Sequence, residues 1–140
     1  MPSNREIITT AFTAWKNGTG YVTGIFADDM TWEITGRSAA AKKYASTREF
    51  VDEVLRPFGA RFSAGDPFRP VDIRAVYDDE EQGTVVVLWD GRGTTTAGTL
   101  YENTYVWIMT LDGGKVIDGT ALFDSIAFDE LWEITPGLPL

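Results

Sequence analysis

The chain has 140 residues, a length suited to one domain spanning 1–140 with a sizeable buried core. Its net charge of −9 disfavours nucleic acid and anionic membranes as partners, because both are bound through basic patches. It has no Cys and no His, which removes disulfides, thiolate chemistry, the commonest general base and the commonest zinc ligand.

Ser3-Asn4-Arg5-Glu6 reads as a capping box, in which Ser3 accepts from the Glu6 backbone and Glu6 reaches back. Ile8, Phe12 and Trp15 then recur at helical spacing, and Asn17-Gly18 ends the helix. A short helix is expected over Tyr21 to Ala27, with Asp28 and Asp29 as a helix-end and turn pair. A strand is expected from Met30 to Ile34, then a loop from Gly36 to Ala41. Ser46-Thr47-Arg48-Glu49 is a second capping box. It opens a helix whose apolar face is Phe50, Val51, Val54, Leu55 and Phe58, ended by Pro57 and Gly59.

Val71, Ile73, Ala75 and Tyr77 alternate as in a strand. An acidic turn, Asp78 to Gly83, leads to a β-branched strand from Thr84 to Asp90. Gly91-Arg92-Gly93 is read as opening a loop that runs to Ala97. Gly98 to Leu111 is a long strand, Asp112-Gly113-Gly114 a tight hairpin and Lys115 to Phe123 the last long strand. Asp124 to Trp132 is a terminal helix with Asp124 as its N-cap. Helices with one strand come first and a four-strand meander follows. The fold class is α+β, with N-terminal helices wrapped around a curved antiparallel sheet. No apolar run approaches the ~20 residues of a transmembrane helix. The N-terminus lacks a signal peptide's apolar core, so a cytoplasmic location is expected.

The segments FADDMTWEI (26–34) and AGTLYENTYVWIMTLDGGKV (97–116), together with Gly36 and ALFD (121–124), occur in an order that resembles the nuclear transport factor 2-like superfamily. Within it the chain is similar to SnoaL-like and ketosteroid isomerase-like proteins. The resemblance implies a cone: a bent sheet wrapped by three helices around a mostly apolar cavity. It also implies where known catalytic groups would fall. The steroid-isomerase base falls at Ile34, its oxyanion tyrosine at Phe12 and its protonated aspartate at Val106. Of the epoxide-hydrolase set, one acid falls at Asp90, the arginine at Leu88 and the other acid at Ala121. Neither set is intact, and the His-dependent dehydratase and cyclase mechanisms do not transfer to a chain without His.

Asp90 is the principal catalytic candidate, because the match turns it toward the cavity and desolvation would raise its pKa. The alternative is a turn residue bonding nearby backbone or Arg92. Glu102 shares strand parity with Val106 and is the candidate second acid of an acid/base couple, or else a rim partner of Arg92. The expected substrate pocket comprises Phe12, Trp15, Trp32, Ile34, Leu88, Val106 and Ala121. Such walls would admit an apolar molecule and reject a charged one. Tyr101, Asn103, Tyr105 and Trp107 are expected on the opposite sheet face, buried in a homodimer.

No metal-site spacing stands out, and no cofactor is expected. The function expected is cofactor-free acid/base chemistry on an apolar polyketide- or terpenoid-like substrate, as an isomerase, cyclase, dehydratase or epoxide-opening enzyme. The alternative is a non-catalytic ligand-binding or assembly protein on the same fold.

Overall fold

The computed structural model describes residues 2–136. Helix α1 (Asn4–Lys16) is capped as its sequence dictates, with Ser3 Oγ accepting from the Glu6 amide at 3.1 Å. It buries Ile8, Phe12 and Trp15 against the sheet. One 3₁₀ turn (Val22–Ile25) follows, and strand β1 (Phe26–Ile34) begins immediately after it. The helix expected from Tyr21 to Ala27 is therefore only that turn. Asp28 and Asp29 lie in β1 rather than at a helix end, where the pairing with β6 is interrupted between Phe26 and Thr31. A bulge there allows two exposed acids in succession on a strand whose other residues alternate.

A two-residue strand, β2 (Lys43–Tyr44), pairs with β1 inside the stretch read as connection. Helix α2 (Thr47–Phe50), a π turn (Val51–Leu55) and helix α3 (Arg56–Gly59) run on without a break. Pro57 sits inside this run rather than ending it. The wider π turn precedes the residue that has no N–H to give, which is how a helix accommodates a proline without stopping.

The meander consists of β3 (Arg69–Asp79), β4 (Thr84–Thr94), β5 (Leu100–Asp112) and β6 (Lys115–Phe123). The sheet order is β2-β1-β6-β5-β4-β3, antiparallel except for the parallel β1–β6 pair. Gly113 and Gly114 both have positive φ, as the two-residue β5–β6 hairpin requires. Helix α4 (Ser125–Trp132) closes the open end, with Asp124 accepting from the Ile126 amide at 2.9 Å.

Two expectations about the meander are corrected. Gly91 and Gly93 do not open a loop; β4 continues through them to Thr94. They are glycines because aromatic rings lie over them. A Cβ on Gly91 would stand 2.2 Å from the Phe68 ring, and one on Gly93 would stand 2.8 Å from Phe62.

The second correction is the facing of β4 and β5. Val85, Val87 and Trp89 point inward, as do Tyr101, Asn103, Tyr105, Trp107, Met109 and Leu111. Leu88, Asp90, Glu102 and Val106 point outward. Since side chains alternate along a strand, a one-residue offset moves every group to the other face. The proposed interface stripe Tyr101, Asn103, Tyr105 and Trp107 is core, each no more than 7% exposed.

Candidate functional site

The concave face of the sheet, α1 and the α2–α3 run enclose a pocket of about 700 Å³. Its walls are aromatic. Trp89 stacks on Tyr105 at 4.4 Å and meets Trp107 edge-on at 5.3 Å, while Trp32 stacks on Phe50 at 4.8 Å. Trp32 has room because Gly119, its direct partner on the adjacent strand of the β1–β6 ladder, lies beneath it. A Cβ at Gly119 would fall 2.1 Å from the indole.

Of the seven residues expected to form the pocket, Trp15, Trp32, Ile34 and Ala121 line it. Phe12 is fully buried behind the wall, in edge contact with Trp89 and Trp107. Leu88 and Val106 are on the outer face and do not reach the pocket. Asp90 and Glu102 are likewise on that outer face. Asp90 accepts from Thr104 Oγ1 at 2.6 Å and lies 3.6 Å from Arg74, while Glu102 lies 3.7 Å from Arg92. The two acids are thus part of a solvated cross-strand charge array, with the sheet between them and the pocket. Asp90 is therefore outside the cavity in which its reading as a proton donor or acceptor placed it.

The structure brings other polar groups together inside. Asn103 Oδ1 accepts from the Thr104 amide at 2.8 Å and from the Asp124 amide at 3.1 Å. Backbone amides only donate, so the side-chain oxygen must face them and Nδ2 must face the other way. Nδ2 donates to the Asp124 carbonyl at 3.0 Å and to the Tyr101 hydroxyl at 2.8 Å. The Tyr101 and Tyr105 hydroxyls are 2.7 Å apart.

Either hydroxyl could donate, but the surroundings select a direction. Tyr101 packs among Phe58, Phe62 and Leu131, which offer no acceptor, whereas Tyr105 lines the pocket. If Tyr101 donates to Tyr105, the one uncommitted proton of the chain belongs to a pocket residue. Burial pushes the Tyr101 phenol up to about 12 and carries Tyr105 well above its ordinary value. Both remain neutral donors across physiological pH.

Two further donors belong to the walls. The indole nitrogens of Trp32 and Trp89 are buried without a hydrogen-bond partner among the described residues. An unpaired buried N–H costs roughly 1–3 kcal/mol, so these two walls carry a local destabilisation. Among the described residues, Asp66 is the only carboxylate of the lining. The Thr94 hydroxyl and then Arg69 hold its pKa below the usual value, so it stays ionised. No cluster of three or more acids among the described residues is arranged to hold a metal ion.

Reasoning from sequence missed Tyr105 as a pocket group and Tyr101 and Asn103 as its buried hydrogen-bond partners. A signal was present: Glu102, Thr104, Thr110 and Asp112 occupy the alternate positions, and the more polar set of a strand faces water.

No family model matches the chain, and no curated protein matches it. Solved structures do. Bal32a, from a soil-derived mobile gene cassette, aligns with TM-score 0.72 and 23% identity over 93% of this chain and 96% of its own. A nuclear transport factor 2-like protein of Burkholderia thailandensis aligns with TM-score 0.71 and 20% identity over 95% and 99%. TerC, co-crystallized with polyporic acid, aligns with TM-score 0.70 and 20% identity over 93% and 98%. Other neighbours are provisionally assigned as an isomerase and a polyketide cyclase, and several have unknown function. The chain has the nuclear transport factor 2-like, cystatin-like fold that its sequence resembles. No helix among the described residues is long and apolar enough to cross a membrane.

Proposed function

We propose that the chain is a small-molecule enzyme that polarises a carbonyl oxygen of an aromatic or polyketide-like substrate in its pocket. The observation that carries this reading is the Asn103–Tyr101–Tyr105 hydrogen-bond chain, which ends on a neutral phenol in an apolar cavity. Each donor in such a chain strengthens the next. A phenol held in low dielectric stabilises a developing enolate more than it stabilises the carbonyl, and that difference lowers a barrier. Neighbours assigned as an isomerase and a cyclase, and one crystallized with polyporic acid, are compatible with that chemistry.

The pocket has donors in excess and a single ionised carboxylate, which Arg69 and Thr94 already engage, so it suits substrates acidic enough to give their C–H proton to solvent water while Tyr105 hydrogen-bonds the enolate oxygen, such as 1,3-dicarbonyls. The same scarcity of carboxylates favours a second reading, a ligand-binding protein without turnover. Incubation with cyclic and aromatic 1,3-dicarbonyl compounds in deuterated water separates the two. The enzyme reading expects catalysed deuterium uptake at the activated carbon, reduced about 100-fold in Tyr105→Phe, the scale seen when an oxyanion donor is removed. Tight binding without exchange in any compound would leave the binding protein.

The homodimer expected on the outer sheet face is proposed on different residues. Val86, Leu88, Val106, Ile108 and Leu122 stand there, half-buried or exposed, beside the Asp90 and Glu102 charge array. A dimer through this face would be converted to monomer by Leu122→Asp, read by light scattering.

A further inference from the structure

The charges around the pocket do not follow those of the molecule. The chain as a whole carries −9, yet the charged residues lining the pocket are Lys16, Arg56 and Arg69 against Asp66 alone. They come from three separate elements. Lys16 ends α1, Arg56 opens α3, and Arg69 opens β3.

These cations are not used up by partners. Lys16 is exposed and has no carboxylate within 4.0 Å among the described residues. Arg56 commits only Nη1, to Asp52 at 2.7 Å. Arg69 also commits only Nη1, to Asp66 at 2.6 Å and to the Pro67 and Arg92 carbonyls. Among the described residues, Nε and Nη2 of both guanidinium groups have no partner. The opposing carboxylate, by contrast, has a partner on each oxygen. Asp66 Oδ1 takes Arg69, and Oδ2 takes the Thr94 hydroxyl at 2.6 Å.

A bland account exists for Lys16, since a cation at a helix C-terminus complements the helix dipole. That account reaches Arg56 as well, in the last turn of the unbroken α2–α3 run, but it does not extend to Arg69, which begins a strand. What the three have in common is the pocket.

We infer that the pocket takes an amphipathic organic anion: an aromatic body among Trp32, Trp89 and Tyr105, and a carboxylate or equally acidic oxygen held by Lys16, Arg56 and Arg69. This rests on the reading of the cavity as the small-molecule site and specifies its substrate class. It revises the expectation that the cavity would reject a charged molecule; the walls are apolar, but the charged part of the lining is cationic. In an otherwise acidic protein, a local excess of positive charge also directs an anion to one place on the surface.

The test is a matched pair of probes, 2-naphthoate and its neutral amide, 2-naphthamide. Binding is followed by quenching of tryptophan fluorescence, with the full chain at about 0.02 M and about 0.5 M salt, which bracket strong and weak screening. The expected result is naphthoate binding about 10-fold more tightly than the amide at low salt. That advantage shrinks several-fold at high salt while amide binding holds. Lys16→Gln, a surface change that leaves the core untouched, lowers naphthoate affinity about 3-fold, and Lys16→Gln with Arg69→Gln about 10-fold.

Equal affinities for the two probes, or a naphthoate affinity indifferent to salt, would overturn the inference and leave the cavity as a site for neutral ligands. Failure of both probes to bind would overturn the inference and the small-molecule site together.

Discussion

The two faces of β4 and β5 are built from the same strands in the same register, and they could hardly differ more. Inward, Val85, Val87, Trp89, Tyr105 and Trp107 are at most 5% exposed and pack ring against ring. Outward, Asp90, Arg92, Glu102 and Thr104 form exposed cross-strand pairs, with Leu88, Val106 and Ile108 only partly covered. The difference teaches where chemistry can be placed. A hydroxyl on the inner face is desolvated, oriented by partners and held neutral. A carboxylate on the outer face, however well its sequence position matches a catalytic one, is screened by water and paired with arginine.

The comparison can be broken most decisively at a tryptophan. Trp107→Ala removes a buried ring that touches Phe12, Trp15, Trp32 and Trp89, and should cost about 3–5 kcal/mol in urea unfolding. Leu88→Ala on the reverse face of the neighbouring strand should cost less than about 1 kcal/mol, because water already reaches it. Similar losses at both positions would mean that the faces are not distinct.

Glycine provides a second contrast. Gly119→Ala forces a methyl into the Trp32 indole and should cost about 1–3 kcal/mol, with a change in the near-ultraviolet tryptophan signal. Gly24→Ala meets no atom within 4 Å, and its effect should stay within about 1 kcal/mol of zero.

Alkali sharpens the contrast by acting on the inner face. The Tyr101 phenol is raised from 10.0 to about 12 in the folded chain. The unfolded chain therefore releases this proton first, and binds fewer protons than the folded chain between those values. Stability should be level below pH 10 and fall as pH rises toward 12. Tyr101→Phe should make the decline shallower, with the remainder due to Tyr21 and Tyr105, whose phenols are raised as well.

The smallest expected effect is at Asp90. Asp90→Asn keeps an acceptor for Thr104 on an exposed surface, so stability should change by less than about 0.5 kcal/mol. Probe binding in the pocket should not change. A large loss of binding would return Asp90 to the site.

Much of this protein is written locally. Ser3, Ser46 and Asp124 announce three helix starts, because a capping side chain needs only its own next few amides. Asp112-Gly113-Gly114 announces the hairpin, because positive φ at two successive residues is a local demand. Alternation announces the strands, and their order along the chain points to the cone. The polar positions Glu102, Thr104, Thr110 and Asp112 even state which side of β5 faces water, although the match to catalytic positions in related folds points the other way.

Other features depend on residues distant in the chain. Gly91 and Gly93 look like a loop until Phe68 and Phe62 arrive to cover them. The Tyr101–Tyr105 pair needs Asp124, 21 positions beyond Asn103, to orient the amide that directs it. The cations of the pocket come from α1, α3 and β3, and no window of sequence contains them all. Sequence by itself determined the capped helices, the hairpin and most of the strands, because caps, turns and alternation are short-range physics. The tertiary structure alone decided the site, because burial, donor direction and the meeting of distant charges exist only once the sheet has curved around its core.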